Sequence, residues 1–223
     1  RLSMLDPRNR FHLAHGRSVE HFLGRHATPT IPPGRVLHIT YAVGGAGAQK
    51  EIGERLLRSL RPEVLDGRMR VTLVAGTRAE VRTYFDSVRR ELVGDCPFVD
   101  VLYRPQLHDY FSAFNDLVRH TDILWTKPSE LSFYCGLGLP IIMSPTIGSQ
   151  EKFNRKWLLE TGAGMRQDKP EHAREWINEL LLDGRFADMA WLGFLRARKL
   201  GTYHALDVIE GGSFHQSDDP LKR

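Results

Sequence analysis

The sequence predicts an α/β fold, a doubly wound parallel sheet with helices on both faces. Two observations carry the prediction. From residue 35 onward, short β-branched and apolar runs alternate with stretches of helical spacing, the mark of successive βαβ units. The first two of those runs also end in glycine, at Gly44-Gly45 and at Gly76, where a parallel strand hands over to its crossover helix.

The elements follow in order. Residues 35–41 read as the first strand. Residues 48–60 place Ile52, Leu56, Leu57 and Leu60 at helical spacing. A second strand covers 70–75 and a helix 78–92. Strand 98–103, helix 108–119 and strand 122–126 come next. A helix over 128–137 precedes the short apolar strand 140–143. A helix over 150–161 ends at Gly162, and helical patterns cover 171–182, 185–199 and 204–210. Residues 1–34 stand apart. They hold His12, His15, His21 and His26, then a run with Pro29, Pro32 and Pro33 that favours neither helix nor central strand. A boundary is expected near Gly34, dividing a segment over 1–34, the tail of a preceding domain, from a nucleotide-sugar-binding domain over 35–223. The chain opens on Arg1 without an initiator methionine, so it is expected to be processed or cut from something longer.

Composition bounds the function. The chain has 223 residues, 41% hydrophobic and 26% charged, a globular balance large enough for a core without disulfide staples. Cys96 and Cys135 sit among apolar neighbours and read as reduced core residues. The formal charge of +4 is not a nucleic-acid footprint; it suits anionic small ligands or an acidic membrane surface. No apolar run reaches the roughly 18–20 residues of a membrane span, and no signal peptide is evident, so a cytoplasmic protein is expected.

In doubly wound sheets, ligands bind beyond the carboxyl ends of the strands, so chemistry is sought in those loops. The first loop, 43–49, contains Gly44, Gly45, Ala46 and Gly47. Glycines let the backbone approach a ligand closely, and the helix that follows presents free N–H groups, a combination suited to phosphate. It matches neither the P-loop nor the G-x-G-x-x-G pattern. The second loop, 103–109, includes Leu107 and His108 and suits a base-binding edge. The third, 126–130, offers Lys127 as a phosphate counter-charge, with Pro128 expected at the first helical position and Ser129 and Glu130 behind it. The fourth, 144–154, sets Gln150, Glu151 and Asn154 at a helix opening, where amides and a carboxylate suit sugar hydroxyls. Packing turns, helix capping and exposed polar helix starts remain the alternatives for these loops. No zinc spacing or nucleophile elbow occurs, and the N-terminal histidines read as polar surface.

Four segments in this order resemble the donor-binding half of GT-B glycosyltransferases: 122–129 (Asp-Ile-Leu-Trp-Thr-Lys-Pro-Ser), Gly138-Leu139-Pro140, 148–154 (Gly-Ser-Gln-Glu-Lys-Phe-Asn) and 159–164 (Leu-Glu-Thr-Gly-Ala-Gly). The sequence is similar to the lipid-linked N-acetylglucosaminyltransferase of peptidoglycan synthesis and to galactolipid synthases, over roughly residues 35 to 210. The resemblance implies a Rossmann-like C-terminal domain that binds a nucleotide sugar, UDP-sugar favoured, for transfer to an acceptor hydroxyl. It implies that Gly44, Gly45, Ala46 and Gly47, with Lys127 and Ser129, face the diphosphate. Leu107, His108 and Glu130 would hold base and ribose. Gln150 and Glu151 would read the sugar, with Asn154 supporting that helix start. A ribose-binding glutamate of the peptidoglycan enzyme corresponds to Phe133, one helical turn after Glu130.

The implied reaction displaces a nucleoside diphosphate from the anomeric carbon, with helix dipoles and backbone N–H groups stabilising the leaving group and neither metal nor cofactor required. The expected partners are the nucleotide sugar and an acceptor-binding N-terminal domain or partner subunit, with peripheral membrane contact open. A donor subunit of a two-chain glycosyltransferase, a non-catalytic nucleotide-sugar-binding module and a sugar epimerase are the alternatives.

Overall fold

The computed structural model describes residues 1–24, 31, 33–44, 47–129, 131–211 and 219. Six strands form one sheet: β1 (Leu37–Ala42), β2 (Met69–Gly76), β3 (Val99–Tyr103), β4 (Ile123–Thr126), β5 (Ile141–Met143) and β6 (Gly164–Arg166). All pair in parallel, in the order β3-β2-β1-β4-β5-β6. The described helices are α1 (Arg10–Leu23), α2 (Lys50–Leu65), α3 (Ala79–Val93), α4 (Leu107–His120), α5 (Leu131–Gly136), α6 (Ser149–Thr161), α7 (Ala173–Leu182), α8 (Arg185–Arg196) and α9 (Gly201–Gly211).

Alternate residues of each strand feed two cores, as the period of two requires. Ile39, Tyr41 and Trp125 belong to the larger cluster, where Tyr41 meets Phe85 of α3 edge-on and Trp125 meets Trp176 of α7 at 5.4 Å between ring centroids. Ala42, Val74 and Leu124 face the other way, onto Phe114 of α4, Tyr134 of α5 and Leu158 of α6. Helices therefore cover both faces, as the alternation of elements predicts.

Four features depart from the sequence reading. Helix α2 runs through Pro62 to Leu65, five residues beyond the expected end. A proline inside a helix removes one hydrogen bond and costs about 3 kcal/mol. Here Val64 is fully buried, and Glu63 pairs with Arg68 and with Arg174 of α7, which together hold the last turn. Helix α5 begins at Leu131, not at Pro128. Pro128 and Ser129 form a bend in which the Ser129 N–H donates to Lys127 O at 2.8 Å.

Strand β6 was not anticipated, because Gly164-Met165-Arg166 has no β-branched residue. It needs its glycine: a Cβ at Gly164 would fall 2.5 Å from both Ile141 O and Leu158 Cδ2. Finally, residues 10–23 form a helix whose start is capped from upstream. The Asp6 carboxylate accepts the N–H groups of Phe11 and His12 at 3.1 and 2.9 Å. Leu5, Phe11 and Val19 are buried in the larger core, and the Arg1 guanidinium donates to the carbonyls of Val118, Thr121, Leu137 and Gly138. The first 24 residues thus pack onto this domain. Of the proline-bearing run over 27–34, expected as a linker, residues 27–30 and 32 lie outside the described residues, as do 25 and 26.

Candidate functional site

Strands β1, β2 and β3 wind outward in one direction and β4, β5 and β6 in the other. The carboxyl ends of β1 and β4 therefore lie at the switch point, the usual ligand position in such sheets. The first-strand glycine loop, the turn after β4 and the start of α6 meet at this point.

At the glycine loop, Gly47 takes φ +71° and its N–H donates to Gly44 O at 2.7 Å. Gln49 caps α2 in a left-handed conformation, φ 69°, with no side-chain acceptor for the first-turn N–H groups. That strained residue is held from two sides. The buried Tyr41 hydroxyl donates to Gln49 O at 2.5 Å, and Gln49 Nε2 donates to Pro145 O at 2.8 Å, tying the first loop to the one after β5. Gln49 Oε1 is buried without a hydrogen-bond partner among the described residues. Gly45 and Ala46, two of the expected phosphate-binding residues, lie outside the described residues.

Lys127 extends from the end of β4 across Gly44. A Cβ at Gly44 would lie 2.5 Å from Lys127 Cδ and 3.3 Å from Nζ, so only glycine leaves room for this side chain. Its ammonium pairs with Glu151 Oε1 of α6 at 2.8 Å, and the two side chains are only 14% and 12% exposed. Glu151 Oε2 accepts the Ile147 N–H at 2.7 Å. Burial alone would raise the Glu151 carboxyl, but the Lys127 ammonium and the backbone N–H groups of Ile147 and Gly148 outweigh it and hold the group below the usual carboxylate range. Asn154 Nδ2 donates to Pro128 O and Ser129 O at 3.0 and 3.2 Å, which fixes the bend to α6. Gln150 is exposed in the first turn of α6, whose cap, Gly148, offers no side chain.

The structure thus brings Gly44, Gly47, Lys127, Ser129, Glu151 and Asn154 together. Leu107 and His108 open α4 at the end of β3, with the His108 side chain 97% exposed. Strand β2 separates β3 from β1, so this edge stands roughly 10 Å from the glycine loop at the usual strand spacing. Glu130 lies outside the described residues, and Phe133 is exposed on α5. Sequence reasoning missed Tyr41, which looks like any other core strand residue. A crevice of about 700 Å3 opens at the opposite, amino end of β1, β2 and β3, between Arg35, His38, Arg70, Asp100 and His120. Its charges are largely spoken for: Arg35 pairs with the buried Asp122, and Arg70 with Asp100, each at 2.5 Å.

The all-parallel six-stranded sheet with helices on both faces is a Rossmann-like α/β fold that matches domains of GT-B proteins. MurG from Acinetobacter baumannii superposes with a TM-score of 0.58 at 17% identity, covering 84% of this chain and 51% of that one. The S. aureus MnaA–UDP co-structure gives 0.56 at 11% identity, covering 79% and 46%. A putative UDP-N-acetylglucosamine 2-epimerase from Listeria monocytogenes gives 0.54 at 15%, covering 92% and 54%. At these identities the likeness is one of fold, and the chain spans about half the length of each. No curated protein matches the sequence. The chain belongs to the family described as a domain of unknown function, DUF6938, whose model matches residues 80–210.

Proposed function

We propose that this domain binds a nucleoside-diphosphate sugar, UDP-sugar favoured, and serves as the donor half of a glycosyltransferase. The observation that supports it most is the convergence of a glycine loop, a lysine and an uncapped helix start at the switch point of the sheet. In this reading Gly44, Gly45, Ala46 and Gly47, with Lys127 and Ser129, take the diphosphate. Leu107, His108 and Glu130 take base and ribose from the β3 side. Gln150 and Glu151 meet the sugar, and Asn154 holds the turn that positions Lys127. The groups around the diphosphate would stabilise charge on the leaving group as an acceptor hydroxyl attacks the anomeric carbon. The acceptor and the base that activates it would come from a further domain or from a partner subunit. Lipid acceptors would bring the protein to a membrane surface; none of the described helices is long and apolar enough to cross one.

Phe133 favours a second reading, a nucleotide-sugar-binding module without turnover, because it places an exposed aromatic ring where the resemblance expects a ribose-binding carboxylate. Calorimetric titration with UDP and UDP-hexoses tests the shared claim. Binding in the micromolar to low millimolar range supports it, and silence at millimolar ligand overturns both readings. Release of UDP from a UDP-sugar by the full-length protein then separates them.

A further inference from the structure

We propose that the Lys127–Glu151 pair is a latch on the anion site: Glu151 occupies the ammonium of Lys127 until a diphosphate displaces it. The inference rests on the nucleotide-sugar reading above and adds a regulation of the same site. Lys127 Nζ sits in two places at once. It lies at the glycine loop, 3.3 Å from the point where a Gly44 Cβ would stand, and it lies 2.8 Å from Glu151 Oε1. An anion reaching the Gly44 backbone therefore meets an ammonium that already has a carboxylate. Two negative groups cannot share it without repulsion at a site where both side chains are largely shielded from water.

The carboxylate has somewhere to remain. Glu151 Oε2 keeps the Ile147 N–H at 2.7 Å, so giving up Lys127 does not leave it unpaired. The lysine stem crosses a glycine, so no side chain at position 44 stands against it, and Asn154 anchors the bend behind it through Pro128 O and Ser129 O. Binding thus includes the work of separating Lys127 from Glu151, and weak anions are excluded by that cost.

The test is a double-mutant cycle on the full chain, with UDP and uridine as probes in calorimetry. Glu151→Gln preserves shape and the contact to Ile147 but removes the competing charge. It is expected to tighten UDP binding about 5-fold, the upper end of what an exposed ion pair contributes. Lys127→Met is expected to weaken it, and the double variant to match Lys127→Met, since the latch acts only through the lysine. Uridine, which carries no phosphate, is expected to bind all four proteins alike. Glu151→Asp, which keeps the charge but withdraws it, is expected to fall between wild type and Glu151→Gln, and stands in if the glutamine variant does not fold. Unchanged or weaker UDP binding in Glu151→Gln beside a wild type that binds UDP overturns the latch and leaves the nucleotide reading standing. An equal gain in the double variant also overturns it. Failure of every protein to bind UDP overturns the nucleotide reading, and the latch with it.

Discussion

Replacing His38 by glutamine should flatten the acid limb of the stability profile. His38 lies on β1 with 7% of its surface exposed, and its Nε2 shares a 2.8 Å hydrogen bond with Thr72 Oγ1 on β2. Burial, and then the Arg70 guanidinium, push its imidazolium down to about 4; a hydrogen bond at the His120 backbone and the Asp100 carboxylate only partly oppose them. The unfolded chain keeps the ordinary value near 6.5. The sign follows from that gap. Above about pH 6.5 both states are neutral and the residue contributes fully. As pH falls from there toward 4, the unfolded state takes up the proton first and stability is lost. The limit is about 3 kcal/mol, of which about 2 kcal/mol falls between pH 7 and pH 4.5. Urea denaturation of wild type and His38→Gln at those two pH values isolates the contribution, because carboxylates and exposed histidines titrate in both proteins. The wild type should lose about 2 kcal/mol more than the variant. Parallel losses would refute the argument, and would mean that His38 is charged, or hydrated, in the folded protein.

Three other substitutions probe the fold and the site. Gly164→Ala should destabilise by about 1–3 kcal/mol, because the new methyl overlaps the Ile141 carbonyl and Leu158 and must push β6 off β5; a thermal melt within one degree of wild type would contradict the strand register. Gln150→Ala should weaken a UDP-sugar several-fold while leaving UDP almost unchanged, and equal losses in calorimetry would remove Gln150 from sugar reading. Gly45→Asp should abolish UDP binding by placing a carboxylate in the loop proposed to hold the diphosphate, and retained affinity would refute that assignment.

Much of the scaffold was legible because its signals are local. The expected strands at 70–75 and 98–103 correspond to β2 and β3 within a residue, since a β-branched run bounded by glycine or polar residues states its own limits. Elements whose stability comes from elsewhere were not. Proline at position 62 reads as a helix end, yet buried Val64 and the ion pairs of Glu63 carry α2 past it. Pro128 reads as a first helical residue, yet Asn154, 26 residues away, holds its carbonyl in a bend. The N-terminal residues read as the tail of another domain, yet Asp6 and the buried Leu5, Phe11 and Val19 bind the first 24 to this core, while His12, His15 and His21 are exposed as expected.

The candidate site divides along the same line. By itself, the sequence determined that a glycine loop follows the first strand, that a lysine follows the fourth, and that amides and a carboxylate open the helix after the fifth. Those are properties of short segments, set by residue type and spacing. Only the tertiary structure decided which of them meet. Strand order put β1 beside β4, which laid Lys127 across Gly44 and against Glu151, and kept β2 between the glycine loop and the edge that carries Leu107 and His108. The pairing of one charge with another depends on distance in space. No spacing along the chain encodes it.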